Sequence, residues 1–236
     1  MIVATASPLS ERERRSIWIV IAAFNEGPAI RAVIADALIE YPNVVVVDDG
    51  SSDNTAQEAR DAGATVICHI VNLGQGAALQ TGIKFALARG AGAIVTFDAD
   101  GQHLTSDIPT LARPVLDGEA EVALGSRFLG HAENISTAKL ITLRAAILFT
   151  RLTTGVNFTD VHNGFRCLSP AAARRINIRQ DRMAHASEIL EQIALLKLKY
   201  VEAPVTIRYT EYSKRKGQRI SNSLHILADL FVARMD

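Results

Sequence analysis

Several features that would assign this chain to a class of protein are scarce or missing. Only two cysteines, Cys68 and Cys167, occur in 236 residues, and neither belongs to a CxxC pattern. This favours two reduced thiols over a disulfide framework or a cysteine-based metal site. The sequence contains no uninterrupted run of about 18 apolar residues, which predicts that no helix spans a membrane. Residues 1–16 have no apolar stretch typical of a signal peptide, so we expect a cytoplasmic protein.

The sequence also lacks an excess of charge of one sign and two common nucleotide-binding motifs. The chain has 25 Lys and Arg residues and 25 Asp and Glu residues. Proteins that bind nucleic acids normally carry a basic surplus, so we expect no nucleic-acid partner. Neither the GxGxxG pattern nor the P-loop pattern GxxxxGK followed by Ser or Thr occurs. Their absence argues against a dehydrogenase and a P-loop kinase.

The first half of the chain alternates two kinds of segment. Short apolar runs rich in β-branched residues predict buried strands, at residues 17–23, 44–47, 65–70 and 93–97. Helical patterns separate these runs, at residues 27–40, 54–62 and 76–89. This alternation is typical of βαβ units, so we predict an α/β fold with a mostly parallel sheet flanked by helices.

The second half is less regular. It predicts strands at 121–125 and 201–209, helices at 137–153 and 184–198, and an irregular stretch at 155–169. A basic loop at 214–219 and an amphipathic helix at 222–235 follow. Because no linker or repeat interrupts the chain, we predict one domain at 16–210, after a polar N-terminal segment at 1–15 and before the C-terminal loop and helix at 211–236.

Polar and acidic residues recur where the predicted strands end. They are Asn25 and Glu26, Asp48 and Asp49, the stretch 72–77, and Asp98 with Asp100. Ligands of open parallel sheets bind at the carboxyl ends of the strands. Capping of the following helices is an alternative for several of these residues, and one residue can serve both purposes.

Asp98 and Asp100 are the most informative pair. Alternate residues after a strand point the same way, so two carboxylates converge there. Two ionised carboxylates at one place repel each other unless a cation lies between them. Mg²⁺ or Mn²⁺ fits, because hard cations take oxygen ligands and bridge carboxylates to phosphates. Gln102 offers an amide oxygen at the next position on that side.

Six motifs in this order resemble family 2 glycosyltransferases of the GT-A fold, a Rossmann-like α/β fold. Within the family, the chain resembles the branch of dolichyl- and polyprenyl-phosphate sugar transferases. The motifs are IAAFNE (21–26), DDGSSD (48–53), NLGQGA (72–77), DADGQH (98–103), GSR (125–127) and DVHNGFR (160–166). Two residues depart from the usual family pattern: Ala23 stands where proline is common, and Gln75 where lysine is common.

The resemblance implies roles for individual residues. Nucleotide binding is expected from Phe24, Asn25, Glu26, Asp49, Asn72, Gly76, Asp98, Lys214 and Arg219. The metal ligands are expected to be Asp98, Asp100 and Gln102, with Mg²⁺ or Mn²⁺ as cofactor. The catalytic residues are expected to be Asp160, Arg127 and Arg166, and Glu188 is a second candidate for a general base.

The implied reaction is transfer of a sugar, with inversion, from a UDP- or GDP-linked donor to polyprenyl phosphate. A saccharide or other hydroxyl acceptor in the synthesis of cell-envelope polysaccharide or glycoconjugates is an alternative. Two alternatives of other classes are a nucleotidyltransferase and a non-catalytic module that binds nucleotide-sugars. Asn25 to Pro28 lack the basic, glycine-rich loop that a nucleotidyltransferase places after its first strand, and intact acidic and arginine motifs argue against a non-catalytic module.

Two amphipathic stretches bear on the location of the protein. Leu224, Leu227, Leu230 and Phe231 share one face of the last helix, and Lys139, Arg144 and Arg151 flank apolar residues in the helix at 137–153. Core packing and a contact between two copies are one interpretation. Peripheral binding to the inner face of the cytoplasmic membrane is the other.

Overall fold

The computed structural model of the protein describes residues 7–180 and 185–216, except the side chains at positions 138, 149, 152–154 and 214–216. The strands are β1 (Ile17–Ala23), β2 (Val44–Asp48), β3 (Thr65–Cys68), β4 (Ala93–Asp98), β5 (Val122–Glu133), β6 (Arg166–Leu168) and β7 (Tyr200–Arg208). The helices are α1 (Glu11–Ser16), α2 (Gly27–Glu40), α3 (Thr55–Asp61), α4 (Gln75–Ala88), α5 (Ile108–Leu116), α6 (Thr137–Thr154), α7 (Pro170–Arg175), α8 (His185–Leu195) and α9 (Glu211–Lys216).

The strands form one sheet in the order β3-β2-β1-β4-β6-β5-β7. All pairings are parallel except those of β6, which runs antiparallel to both β4 and β5. Every residue of β2 is buried, as expected for a strand covered on both faces. The prediction of an α/β fold with a mostly parallel sheet is therefore confirmed.

Helices cover both faces of the sheet. On one face, Ile30 and Ile34 of α2 and Leu111 of α5 pack against β1, β2 and β4. On the other face, Ile83 of α4 and Leu190 of α8 complete a second apolar cluster. Within the described residues, no helix combines the length and the apolar character needed to cross a membrane.

The register of the sheet brings the ends of three strands together. Ala23 at the end of β1 pairs with Asp48 of β2, and Ala22 pairs with Asp98 of β4. Thr96 of β4 pairs with Arg166, the first residue of the antiparallel strand β6. The polar segments after β1, β2 and β4 thus meet at one edge of the sheet, together with the start of β6.

The observed elements differ from the predictions at several places, and helices α5 and α7 have no counterpart among the predicted elements. Strand β5 continues to Glu133, because residues past a bulge pair with β7. Strand β6 lies inside the stretch 155–169 that we predicted to be irregular, and its three residues are too few to show a period. Helix α1 lies in the predicted polar segment 1–15, where Ser10 and Glu13 form a capping box. Helix α9 reaches Lys216, within the predicted loop 214–219, and the predicted helix 222–235 lies outside the described residues.

Close packing of α4 on β1 and β2 depends on Gly82. A Cβ atom there would lie 2.3 Å from Cγ1 of Val20 and 3.3 Å from Cγ2 of Val47. We therefore expect Gly82→Val to lower the free energy of unfolding by about 2 kcal/mol or more through overpacking. Lys84→Val, on the exposed side of the same helix, is the matched control and should cost only about 0.5 kcal/mol. Urea denaturation of both variants measures the difference, and equal losses would contradict the packing argument.

Candidate active site

The segments after β1 and β2 hold each other in place. Asn25 adopts a left-handed backbone conformation with φ of 53°, and its side-chain oxygen accepts a hydrogen bond from the backbone N–H of Ser52 at 2.9 Å. The N–H of Glu26 donates to the hydroxyl of Thr55 at 2.7 Å. These contacts fix the two turns side by side at the edge of the sheet. Phe24 is 43% exposed beside them.

Asp49 follows β2 and is almost completely buried. Its carboxylate accepts hydrogen bonds from the backbone N–H groups of Leu73 at 3.0 Å and Gly74 at 2.7 Å. His69 lies 2.7 Å from the same carboxylate. Asp49 therefore binds the loop between β3 and α4, which carries the exposed residue Asn72.

Asp98, Asp100 and Gln102 form a compact turn after β4. The backbone N–H of Gln102 donates to Asp100 Oδ1 at 3.1 Å, and the Gln102 amide nitrogen also donates to Asp100. Gly164 allows the chain after Asp160 to pass directly over Asp98, because a Cβ atom at this glycine would lie 2.7 Å from Asp98 Oδ1. The turn thus lies against the DVHNGFR segment predicted from the sequence.

Both carboxylates of this turn are held in an unfavourable electrostatic environment. Burial raises the pKa of Asp98, although Arg166 and Arg127 oppose the shift. Burial and then the charge of Asp98 raise the pKa of Asp100. Within the described residues, no group of three or more His, Cys, Asp and Glu side chains is arranged to hold a metal ion by itself. A divalent cation would therefore rely on these two carboxylates and on ligands such as an amide or phosphate oxygen, which suits a hard cation.

His103 contacts Asp98 through both nitrogens of its ring. Its Nδ1 accepts a hydrogen bond from the N–H of Asp98 at 3.1 Å, and its Nε2 lies 3.2 Å from Asp98 Oδ2. The ring stacks on Phe165 with a centroid distance of 4.7 Å, and Phe97 meets it edge-on. Because Nδ1 accepts, the ring proton is on Nε2 and donates to the Asp98 carboxylate. Burial lowers the pKa of His103, in agreement with this neutral ring.

Arg127 is buried in β5, directly after Ser126, where the register with β7 shifts at a bulge. Its Nε donates to Asp160 at 2.6 Å, and its terminal nitrogens donate to the Tyr209 hydroxyl at 2.6 Å and to the His162 carbonyl at 2.8 Å. Asp160 also accepts hydrogen bonds from the backbone N–H groups of Arg127 and His162. The Arg127–Asp160 pair therefore holds β5, the DVHNGFR segment and the end of β7 together.

Positive charge accumulates around this pair. Arg166 is 3% exposed and donates to the Ala186 carbonyl at 3.2 Å, and burial lowers its pKa to about 10. Burial and the charge of Arg127 lower the pKa of Lys139 on α6. Burial lowers the pKa of His162 to about 4, and Arg127, Lys139 and Arg166 add to the shift. Lys139 and His162 thus lie near other cations, and an anionic ligand would relieve this repulsion, whereas the charges that act on Arg166 are those of Asp98 and Asp160.

Other residues singled out from the sequence lie elsewhere or are not described. Glu188 accepts hydrogen bonds from the backbone N–H groups of Arg179 and Gln180, and so stabilises the turn before the undescribed residues 181–184. Gly76 lies against the Gln180 carbonyl, which a Cβ atom would approach to 2.0 Å. The side chain of Lys214 and all of Arg219 lie outside the described part of the chain.

Four contacting side chains had no role in the sequence-based prediction of the site. Tyr209 binds Arg127, Tyr212 donates to Glu26 at 2.7 Å, His69 binds Asp49, and His103 supports Asp98. The two tyrosines follow β7, about a hundred residues from the acidic turn, so only the three-dimensional fold brings them to the site. His103 directly follows the turn formed by Asp98, Asp100 and Gln102, and its proximity in sequence was a usable signal.

Comparison with known proteins identifies relatives along most of the chain. Residues 18–177 match the family described as Glycosyl transferase family 2. An uncharacterised protein of Methanocaldococcus jannaschii is 37% identical over 97% of this chain and 96% of its own length. The UDP-N-acetylglucosamine–dolichyl-phosphate N-acetylglucosaminyltransferase of Methanococcus voltae is 32% identical over 93% of this chain and 96% of its own length.

A solved structure confirms the fold. Glucosyl-3-phosphoglycerate synthase from Mycobacterium tuberculosis, in complex with Mn²⁺, UDP-glucose and phosphoglyceric acid, superposes with a TM-score of 0.73. The match covers 96% of this chain and 84% of that protein at 20% identity, which establishes the GT-A fold but no further property. The family match over more than half of the chain and the two sequence relatives show that the chain belongs to glycosyl transferase family 2 and is a glycosyltransferase.

Proposed function

We propose that the protein transfers a sugar, with inversion, from a UDP- or GDP-linked donor to polyprenyl phosphate at the inner face of the cytoplasmic membrane. The division of the site into two parts of opposite charge carries this proposal. Asp98 and Asp100 form the acidic part, and Arg127, Lys139 and Arg166 form the cationic part. A reaction between a metal-bound diphosphate and a second phosphate needs both parts next to each other.

The acidic part suits the donor. Asp98, Asp100 and Gln102 would hold Mg²⁺ or Mn²⁺, because a cation would offset the burial and the repulsion from Asp98 that raise the pKa of Asp100. Bound there, the metal would act as a Lewis acid on the leaving diphosphate. The Mn²⁺ and UDP-glucose bound to the mycobacterial synthase support this assignment. The nucleotide would contact the turns after β1, β2 and β3, through Phe24, Asn25, Glu26, Asp49 and Asn72, and the basic residues Lys214 and Arg219 would approach its phosphates.

The cationic part suits an acceptor that is already an anion. An oxygen of the acceptor phosphate would attack the anomeric carbon as the bond from that carbon to the diphosphate oxygen breaks, and the leaving diphosphate keeps the electron pair. No proton has to be removed from a phosphate anion. Asp160, the favoured base for a hydroxyl acceptor, is 3% exposed and accepts hydrogen bonds from Arg127 and His162. We therefore propose that Asp160 positions Arg127, and that Arg127 and Arg166 stabilise the phosphates. The dolichyl-phosphate acceptor in the name of the Methanococcus voltae relative supports this choice.

Helix α6 would face the membrane that holds such an acceptor. Its buried face includes Leu143, Ala146 and Thr150. Its other face exposes Ile141 and Leu148, at 63% and 57%, together with two arginines, Arg144 and Arg151. The helix has three basic residues and no acidic residue. Exposed apolar side chains next to basic ones favour shallow insertion at an anionic lipid surface.

The metal role of Asp100 is tested with Asp100→Asn. We expect kcat/KM to fall at least about 100-fold, because the cation that stabilises the leaving group loses one of its ligands.

The same variant also tests the electrostatics of the site. Ionisation of Asp98 and Asp100 destabilises the metal-free fold at neutral pH, and this penalty is lost as the pH falls through the raised pKa values. The metal-free variant should therefore have a Tm about 2–4 °C higher than wild type at pH 7.5, without the wild-type increase on adding Mn²⁺. Glu119→Gln, an exposed change at the opposite edge of the sheet, is the control. Unchanged turnover would refute the metal site.

The acceptor site is tested with Lys139→Ala. We expect the KM for a short-chain prenyl phosphate to rise about tenfold and the KM for the donor to stay unchanged, because one charge-assisted contact to phosphate is lost. Lys139→Arg should retain most of the affinity, and Arg144→Ala, exposed on the same helix, should behave like wild type. Transfer to 3-phosphoglycerate but not to prenyl phosphate would show that the acceptor is a soluble phosphorylated compound and not a lipid. Transfer only to uncharged sugars would contradict the assignment of an anionic acceptor.

The membrane face is tested by flotation with vesicles that contain anionic phospholipid. The double substitution Ile141→Asn and Leu148→Asn should reduce the bound fraction of the full chain at least about tenfold. The reason is that it removes two apolar side chains whose transfer from water into the lipid would favour binding. Ile39→Asn, at a 78% exposed position on α2, is the control and should not change binding. If the double variant floats like wild type but sediments as a smaller species, the face forms a homo-oligomer and the membrane proposal fails.

A further inference from the structure

Residues 70–74, in the loop between β3 and α4, receive little support from side-chain packing. Ile70 is 99% exposed, Val71 59% and Leu73 48%. Apolar side chains that remain in water contribute little to holding a segment in one conformation. The position of this loop must therefore depend on contacts of its backbone.

Asp49 and Gly50 supply those contacts. The Asp49 carboxylate accepts from the N–H groups of Leu73 and Gly74, one to each oxygen. Gly50 has a φ of 72°, and a Cβ atom there would lie 2.7 Å from the carbonyl carbon of Val71. The loop backbone thus rests directly on the turn after β2, and one buried carboxylate fixes its end.

His69 in turn fixes that carboxylate. Its Nδ1 lies 2.7 Å from Asp49 Oδ1, and its Nε2 lies 3.0 Å from the Thr81 hydroxyl in the second turn of α4. With the proton on Nδ1, the ring donates to Asp49 and accepts from Thr81, so each buried polar atom in this chain of contacts has a partner. The imidazole side chain is 10% exposed and the carboxylate 3%. The orientation of Asp49 is therefore set from the helix, through the histidine ring.

We propose that His69 is a positioning residue of the donor-nucleotide subsite. It fixes the rotamer of Asp49 and, through Asp49, the loop that carries Asn72, without touching the reacting atoms. This inference rests on the proposed function, which assigns Asp49 and Asn72 to the binding of the nucleotide. Loss of the imidazole leaves a buried carboxylate with one donor fewer and a loop with no packed side chain to compensate. Binding of the nucleotide is weakened, whereas the chemical step and the acceptor site are not affected.

The test compares four variants by calorimetric titration with UDP and GDP in the presence of Mg²⁺. His69→Phe keeps a ring of similar size without a donor, and should weaken binding of the nucleoside diphosphate about tenfold, as expected for a lost hydrogen bond to a charged group. His69→Asn places an amide N–H near the position of Nδ1, and should stay within about threefold of wild type. His69→Gln extends its amide toward Thr81 and should resemble His69→Phe. Thr81→Val removes only the outer contact and should have a smaller effect.

Steady-state kinetics separate positioning from general damage to the fold. The donor KM should rise in parallel with the dissociation constant, while kcat and the acceptor KM stay within about twofold of wild type. If His69→Phe and His69→Gln bind like wild type, or if kcat falls while the donor KM stays the same, the inference is wrong. If His69→Phe does not fold, His69→Gln is compared with His69→Asn. Binding of the nucleoside diphosphate by His69→Gln like wild type would then show that the inference is wrong. A wild-type chain that binds neither UDP nor GDP would overturn the proposed function itself, and that result is distinct from equal binding by wild type and variants.

Discussion

The register of the parallel strands is the constraint on which the site depends. Ala23 opposite Asp48 and Ala22 opposite Asp98 place the ends of β1, β2 and β4 at one level. A shift of one residue in either pairing would turn every side chain to the other face of a sheet that is buried on both sides. The apolar runs that form the core therefore also determine where the acidic groups meet. Stability and the geometry of the site have the same origin.

The antiparallel strand β6 completes the site in a way that a purely parallel sheet could not. Because it runs opposite to β4, its first residue, Arg166, lies near the last residues of β4. A parallel strand would have placed this arginine at the far edge. The reversal brings a buried cation within electrostatic reach of Asp98, and the Arg127–Asp160 pair lies on the same side. Opposite charges are thus adjacent, and Arg166 and Arg127 partly offset the effect of burial on the pKa of Asp98.

The sequence allowed us to predict the parts of the fold that depend on local pattern. Strands such as β2 and β4 are continuous apolar runs with acidic ends, so their positions and the edge that they share followed from composition. Strand β6 has only three residues and owes its conformation to its two neighbours, which no local pattern encodes. The partners of buried side chains were equally inaccessible: Tyr209 and His69 are ordinary residues until the fold places them against Arg127 and Asp49.

The end of β7 and the segment that follows it limit how this enzyme can be divided or recombined. The N–H of Arg208 binds the Gln102 carbonyl, Tyr209 binds Arg127, and Tyr212 binds Glu26. These contacts reach the turns after β1 and β4 and the buried Arg127. They lie beyond the family match, which ends at residue 177, and Tyr212 lies beyond the domain end that we predicted at residue 210. A chimera or truncation designed at either boundary would remove side chains that contact the site. The smallest transferable unit of this glycosyltransferase therefore extends at least through Tyr212.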